Sequence, residues 1–183
     1  MAASDQVRAL RWDGVALHVL DQRLLPAEEQ WLIARDAAET ARVIHDMAVR
    51  GAPAIGLAGA YGLVMTARAL GDADAGAWAE GIAEAAALLN AARPTAVNLA
   101  AALQHLEQIA RQGAPGDWRA LEQAAQALWD EDLAANMRMG ELGSAYLPPG
   151  TRVLTHCNTG SLATAGLGTA LGVIRTAWAQ QRL

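Results

Sequence analysis

The sequence predicts an α/β chain: a small N-terminal antiparallel sheet and a helical bundle, followed by the first βα unit of an incomplete Rossmann-like parallel-sheet domain. Three observations predict it. Short β-favouring runs cluster before residue 35, Ala-rich helical periodicity dominates from about 36 to 143, and after a Pro-Pro-Gly break a strand-like run leads into one more helical run.

Val7 to Trp12 and Val15 to Leu20 flank Asp13-Gly14, a dipeptide suited to a two-residue hairpin turn with positive φ, and a third short strand is expected from Gln30 to Ala34. Asp36 followed by Glu39 has capping-box spacing. With Ile44, Met47 and Ala48 at helical intervals, it predicts a helix to about Val49. Pro53 to Leu70 is apolar almost all round, so this helix belongs inside the domain. Gly56, Gly59 and Gly62 recur along it, each costing about 1 kcal/mol relative to alanine, which close backbone packing must offset. Further helices are expected near Ala75–Ala92, Thr95–Arg111 and Trp118–Gly143, separated by Arg93-Pro94 and by Gly113 to Gly116.

Leu147-Pro148-Pro149-Gly150 can continue neither a helix nor a strand, so a domain boundary is expected at 146–150, dividing residues 1–146 from 147–183. Beyond it, Arg152 to His156 reads as a strand, Asn158 to Ala165 as a loop, and Gly166 to Gln181 as a helix with Leu171, Ile174 and Trp178 inward. One βα unit lacks the neighbour its strand requires, so the chain is expected to stop mid-domain, leaving open strand edges and an apolar helix face.

Composition narrows the chemistry. No residue is lysine, which removes the phosphate-gripping lysine of a P-loop and any Schiff base. Cys157 is the single cysteine, excluding an internal disulfide and a Cys-rich metal site, and the compartment is expected to be reducing. The net charge is −5 and the arginines are scattered, so neither a nucleic acid nor a membrane surface is an expected partner. MAASDQ has no features of a secretory leader, and a cytoplasmic location is expected.

Arg50-Gly51-Ala52-Pro53 stands before the buried helix. Proline suits a first helical turn, and the free N–H groups of Ala54 and Ile55 with the Arg50 fork would hold a phosphate. The alternative is a tight interhelical turn with Arg50 solvated. Arg93, pushed to extended backbone by Pro94, could join the same anion or be an ordinary surface arginine. Cys157, at the carboxyl end of the expected strand, is a candidate proton-transfer thiol or else a small buried apolar group. His156 would point to the opposite strand face. Gly166 to Gly172 does not fit GxGxxG, Ser161 is not in GxSxG, the four histidines have no metal-ligand spacing, and Asp130-Glu131-Asp132 reads as a solvated helix face. No cofactor or metal is expected.

RGAPAIGLAGAYGL (50–63), RPTAVNL (93–99) and THCNTGSLATAGLGTALG (155–172), in that order, resemble the methylthioribose-1-phosphate isomerase family, with LDQRLLP (20–26) and the acidic helix around Asp130 also similar. The resemblance implies an aldose–ketose phosphosugar isomerase of methionine salvage, with Arg50, Gly51, Ala52 and Arg93 on the substrate and Cys157 as the active-site thiol. It also implies a homodimer. The family's catalytic aspartate and its lysine contact fall past Leu183, so the resemblance implies an N-terminal half that is inactive alone. A ribose-1,5-bisphosphate isomerase, and a non-catalytic scaffold like the regulatory subunits of the translation-initiation exchange factor, are the alternatives.

Overall fold

The computed structural model describes residues 7–183; the leader reading of MAASDQ lies outside the described residues. A three-stranded antiparallel sheet is formed by β1 (Leu10–Trp12), β2 (Leu17–Leu20) and β3 (Trp31–Ala34), in that order. Leu10 pairs with Val19 and Leu17 with Ala34, and Leu10, Leu17, Val19 and Ala34 are all buried. The expected two-residue turn is instead a four-residue connection, since Trp12 faces Leu17. Asp13 causes the difference: its Oδ1 accepts the N–H groups of both Val15 and Ala16, which draws both residues into the turn.

Helix α1 (Ala37–His45) begins as expected, the Asp36 carboxylate accepting the Glu39 N–H at 2.7 Å while Glu39 accepts the Arg35 N–H. It stops four residues short of Val49, because Met47 takes φ +59, which no right-handed helix accommodates. Helix α2 (Ala52–Leu70) is the central element, contacted by α1, α3 (Ala75–Ala92), α4 (Val97–Gln112) and α5 (Trp118–Ser144). By length and composition α2 could cross a membrane, but it is enclosed by the bundle.

The glycine row accounts for that closeness. A Cβ on Gly56 would stand 2.9 Å from the Asn98 carbonyl oxygen, one on Gly62 would stand 3.0 Å from a Leu89 methyl, and one on Gly59 would overlap the Leu99 side chain. α2 therefore approaches α4 and α3 more closely than alanine permits, as the sequence requires. Tyr61, fully buried, stacks on Trp12 at 4.8 Å, meets Trp129 edge-on and donates its hydroxyl to Gln126, locking the sheet to α2 and α5.

The last 37 residues depart most from expectation. Arg152 to His156 forms no strand, and Leu154 is 96% exposed. A strand exists only as part of a ladder, and among the described residues no neighbour is present to pair with it. A 3-10 turn (Ser161–Ala163) follows, then α6 (Ala170–Ala179), shorter than the expected Gly166–Gln181. Nor does its inward face hold the expected residues. Trp178 is exposed and Leu171 partly so, Ile174 is half-buried, and Gly172 and Ala177 are buried. α6 lies on α5 through small residues: a Cβ on Gly140 would meet the Gly172 carbonyl and Thr176, and one on Gly143 would meet Val173. Such close packing selects the glycine–alanine side of α6 and turns its large side chains away.

Candidate functional site: two open helix starts and a thiol loop

Three helices begin with a conventional side-chain cap. Asp36, Asp74 and Asp117 accept first-turn N–H groups of α1, α3 and α5. α2, α4 and α6 do not; at α2 and α4 the N-cap residues are Gly51 and Ala96, neither with a side chain that can accept. These two open starts lie together, because Gly56 in the first turns of α2 abuts Asn98 in the first turn of α4. Each start follows one of the arginines singled out in the sequence. Arg50 is exposed and Arg93 half-buried, and among the described residues neither guanidinium has a hydrogen-bond or ion-pair partner. Arg93 has the extended φ of −148° expected before proline, although α4 starts at Val97, later than Thr95. Of the two N–H groups expected to be free, that of Ile55 donates to the Gly51 carbonyl at 2.9 Å, closing the first turn of α2; the remaining first-turn N–H groups, two helix dipoles and two unneutralised cations favour an anion here.

Gly51, at φ +100°, closes this turn, and a Cβ there would stand 2.8 Å from the Ala163 carbonyl oxygen. Ala163 belongs to the loop that follows Cys157. Cys157 is exposed, which removes the buried apolar reading, and its φ of +73° is rare for a residue with a side chain. The thiol lines an open cleft of about 490 Å³ with Thr155, Asn158, Ser161, Leu171 and Arg175. Arg175 donates to Ser161 Oγ at 2.7 Å and to the Leu167 carbonyl, while Leu171 N–H donates to the Thr159 carbonyl at the start of α6. The cleft is thus lined by both a thiol and a guanidinium.

Arg50, Gly51, Ala52 and Arg93 do not line the Cys157 cleft. Next to their helix starts is a second cavity of about 460 Å³, lined by Pro53, Leu57, Val97, Asn98, Leu128 and Asp132, among others. The two openings are bridged by the segment 161–165. Its Leu162 carbonyl accepts from Gln22 Nε2 at 2.9 Å, and its Ala165 N–H donates to Asp132 Oδ2 at 2.7 Å. Both side chains escaped the sequence reading. Asp130 and Glu131 are solvated as expected, but Asp132, two residues on, turns inward, and burial holds its carboxyl above the ordinary range against the opposing Ala165 hydrogen bond. An aspartate that follows two other acids in the sequence carries no signal of burial until the helix is docked. Among the described residues no cluster of three or more His, Cys, Asp or Glu is arranged to hold a metal.

Residues 48–183 match the Initiation factor 2 subunit family. The chain belongs to that family. Within this Initiation factor 2 subunit fold, the described portion comprises the small sheet and six α-helices. Methylthioribose-1-phosphate isomerase of Alkalilimnicola ehrlichii is 54% identical over 183 residues, all of this chain and 53% of the relative. The same-named protein of Xanthomonas euvesicatoria is 53% identical over 184 residues, covering 51% of its length. Among solved structures, the 5-methylthioribose 1-phosphate isomerase of Pyrococcus horikoshii superposes with TM-score 0.87 at 38% identity, over 96% of this chain and 50% of that one. Translation initiation factor eIF-2B subunit delta of A. fulgidus gives 0.84 at 39%, over 96% and 52%. The chain spans about half the length of the relatives it matches.

Proposed function

We propose that this family member supplies the phosphate grip and the thiol of an aldose–ketose isomerase that converts 5-methylthioribose 1-phosphate to 5-methylthioribulose 1-phosphate in methionine salvage. The observation that carries the reading is the abutment of two uncapped helix starts, each beside an arginine without a partner. The phosphate sits at the N–H of Ala54 with Arg50 and Arg93 closing on it, and Gly51 and Ala52 shape the turn beside it; the Ile55 N–H is already given to the Gly51 carbonyl at 2.9 Å. A phosphate on the anomeric oxygen blocks spontaneous ring opening, so the enzyme must donate a proton to the ring oxygen and then move a hydrogen from C2 to C1. Cys157, exposed on its loop, assists that proton movement, and a carboxylate from outside this chain completes the acid/base pair.

In this reading residues 147–183 open a second, Rossmann-like lobe, and the 183 residues act as the N-terminal half of a cytoplasmic homodimeric enzyme. The coverage of about half of each relative supports it, as does Leu154 standing exposed in a run with strand character and no ladder. A ribose-1,5-bisphosphate isomerase would use the same grip. A regulatory scaffold is favoured by the eIF-2B delta likeness, but it has no need of two unpaired arginines at open helix starts.

The test is a titration of the chain with 5-methylthioribose 1-phosphate, followed by amide NMR. Shifts at Ala54, Ile55 and Asn98 that vanish in Arg50→Ala and Arg93→Ala support the grip, each substitution weakening binding about 10- to 100-fold for a lost charge-assisted contact. No shifts at saturating ligand favour the scaffold. Turnover by a chain extended past Leu183, falling about 10²- to 10⁴-fold in Cys157→Ser, tests the thiol.

A further inference from the structure

The segment 161–165 separates the phosphate grip from the thiol, so whatever fixes it fixes the spacing between them. Three contacts from three parts of the fold converge there. Gln22, in the β2–β3 connection, donates to the Leu162 carbonyl from 140 residues away. Ala163 fills the space left by the missing side chain of Gly51. Asp132, midway along α5, accepts the Ala165 N–H. Thr164 closes the turn itself, its hydroxyl donating to the Gly166 carbonyl and accepting the Gly166 N–H. Ala163, Thr164 and Ala165 are almost fully buried, whereas Cys157, a few residues upstream, is exposed.

From this geometry we infer that Gln22 and Asp132 are positioning residues: together they clamp Leu162–Ala165 onto the Gly51 turn and thereby hold Cys157 in register with the anion site. The inference rests on Cys157 being the thiol of the proposed site. Asp132 fits the part because a half-buried carboxylate next to the exposed acids Asp130 and Glu131 is a poor stabiliser, and the backbone N–H it captures is that of Ala165. Gln22 fits it because its amide reaches across 140 residues to the Leu162 carbonyl, in the short 3-10 turn, and so ties that turn to the β2–β3 connection.

Cys157 is the sole cysteine, so a nitroxide attached to it reports that position and no other. The ligand-free 183-residue chain is labelled as wild type, Asp132→Leu, Asp132→Asn and Gln22→Leu, with circular dichroism to follow the helices. Expected are a more mobile spectrum and an unlabelled thiol that alkylates about threefold or more faster in Asp132→Leu and Gln22→Leu. Asp132→Asn keeps an oxygen able to accept from Ala165 and should restore both readouts to wild type, a rescue that bulk packing does not predict. Spectra and rates of Gln22→Leu that superimpose on wild type overturn the inference, even where Asp132→Leu fails to fold. So does an Asp132→Asn thiol as mobile as that of a misplaced loop. Failure of the functional reading would register separately, as 5-methylthioribose 1-phosphate leaving the wild-type spectrum unchanged while the ligand-free differences persist.

Discussion

Gly51 and Ala163 share one space: the backbone of Ala163 stands where a side chain on Gly51 would be, its carbonyl oxygen 2.8 Å from the position of that Cβ. The turn before α2 and the loop after Cys157 are thus packed backbone to backbone. Gly51→Ala must distort one of them, and the φ of +100° adds its own strain. The variant should lose about 1–3 kcal/mol in urea unfolding and should loosen phosphate binding as well. Unchanged stability would place the two segments further apart than described.

Within α2 the glycines are unequal. Gly56 faces the Asn98 backbone carbonyl, which is fixed by α4, while Gly59 faces a Leu99 methyl, which a rotamer change can move. Alanine gains about 1 kcal/mol of helix propensity at either site. Gly56→Ala should nonetheless unfold at lower urea than wild type, by more than Gly59→Ala, with paired denaturation curves as the measurement.

Asp132 predicts an unusual pH dependence. Burial holds its carboxyl above the ordinary value, so the folded state keeps that proton more tightly than the unfolded chain does. Stability therefore falls as pH rises from the ordinary carboxylate value through the raised one, and the ionised group costs stability at neutral pH. Asp132→Asn should be as stable as wild type or more so at neutral pH. Its stability should also fall less across that acidic window, as urea midpoints taken along a pH series would reveal.

Asp13 has the opposite sign. The His18 hydrogen bond, then the Ala16 and Val15 N–H groups, hold its carboxyl down at about 2. Its contribution to the hairpin is complete above the ordinary carboxylate value and is lost only as pH falls through about 2. An NMR titration of the Asp13 carboxyl carbon should place its midpoint there. His18→Ala should move that midpoint back up, because the largest lowering contact is gone.

The sequence by itself determined the elements whose signals are local. Asp36 with Glu39 starts α1, Pro53 and three glycines make α2 a buried helix, and Arg93-Pro94 separates α3 from α4; each depends on residues within a turn or two of one another. The exposed Cys157 and the arginines Arg50 and Arg93 were legible as types of chemistry in the same way. Tertiary structure decided what depends on partners. Arg152 to His156 has strand composition but no ladder without a neighbour, and α6 turns Gly172 and Ala177 inward because Gly140 and Gly143 leave room only for small residues. Gln22 and Asp132 look like ordinary surface residues until the loop they bind arrives from 140 and 33 positions away. Local propensity acts over one turn of chain, whereas burial and loop docking are set by contacts that only the folded whole brings together.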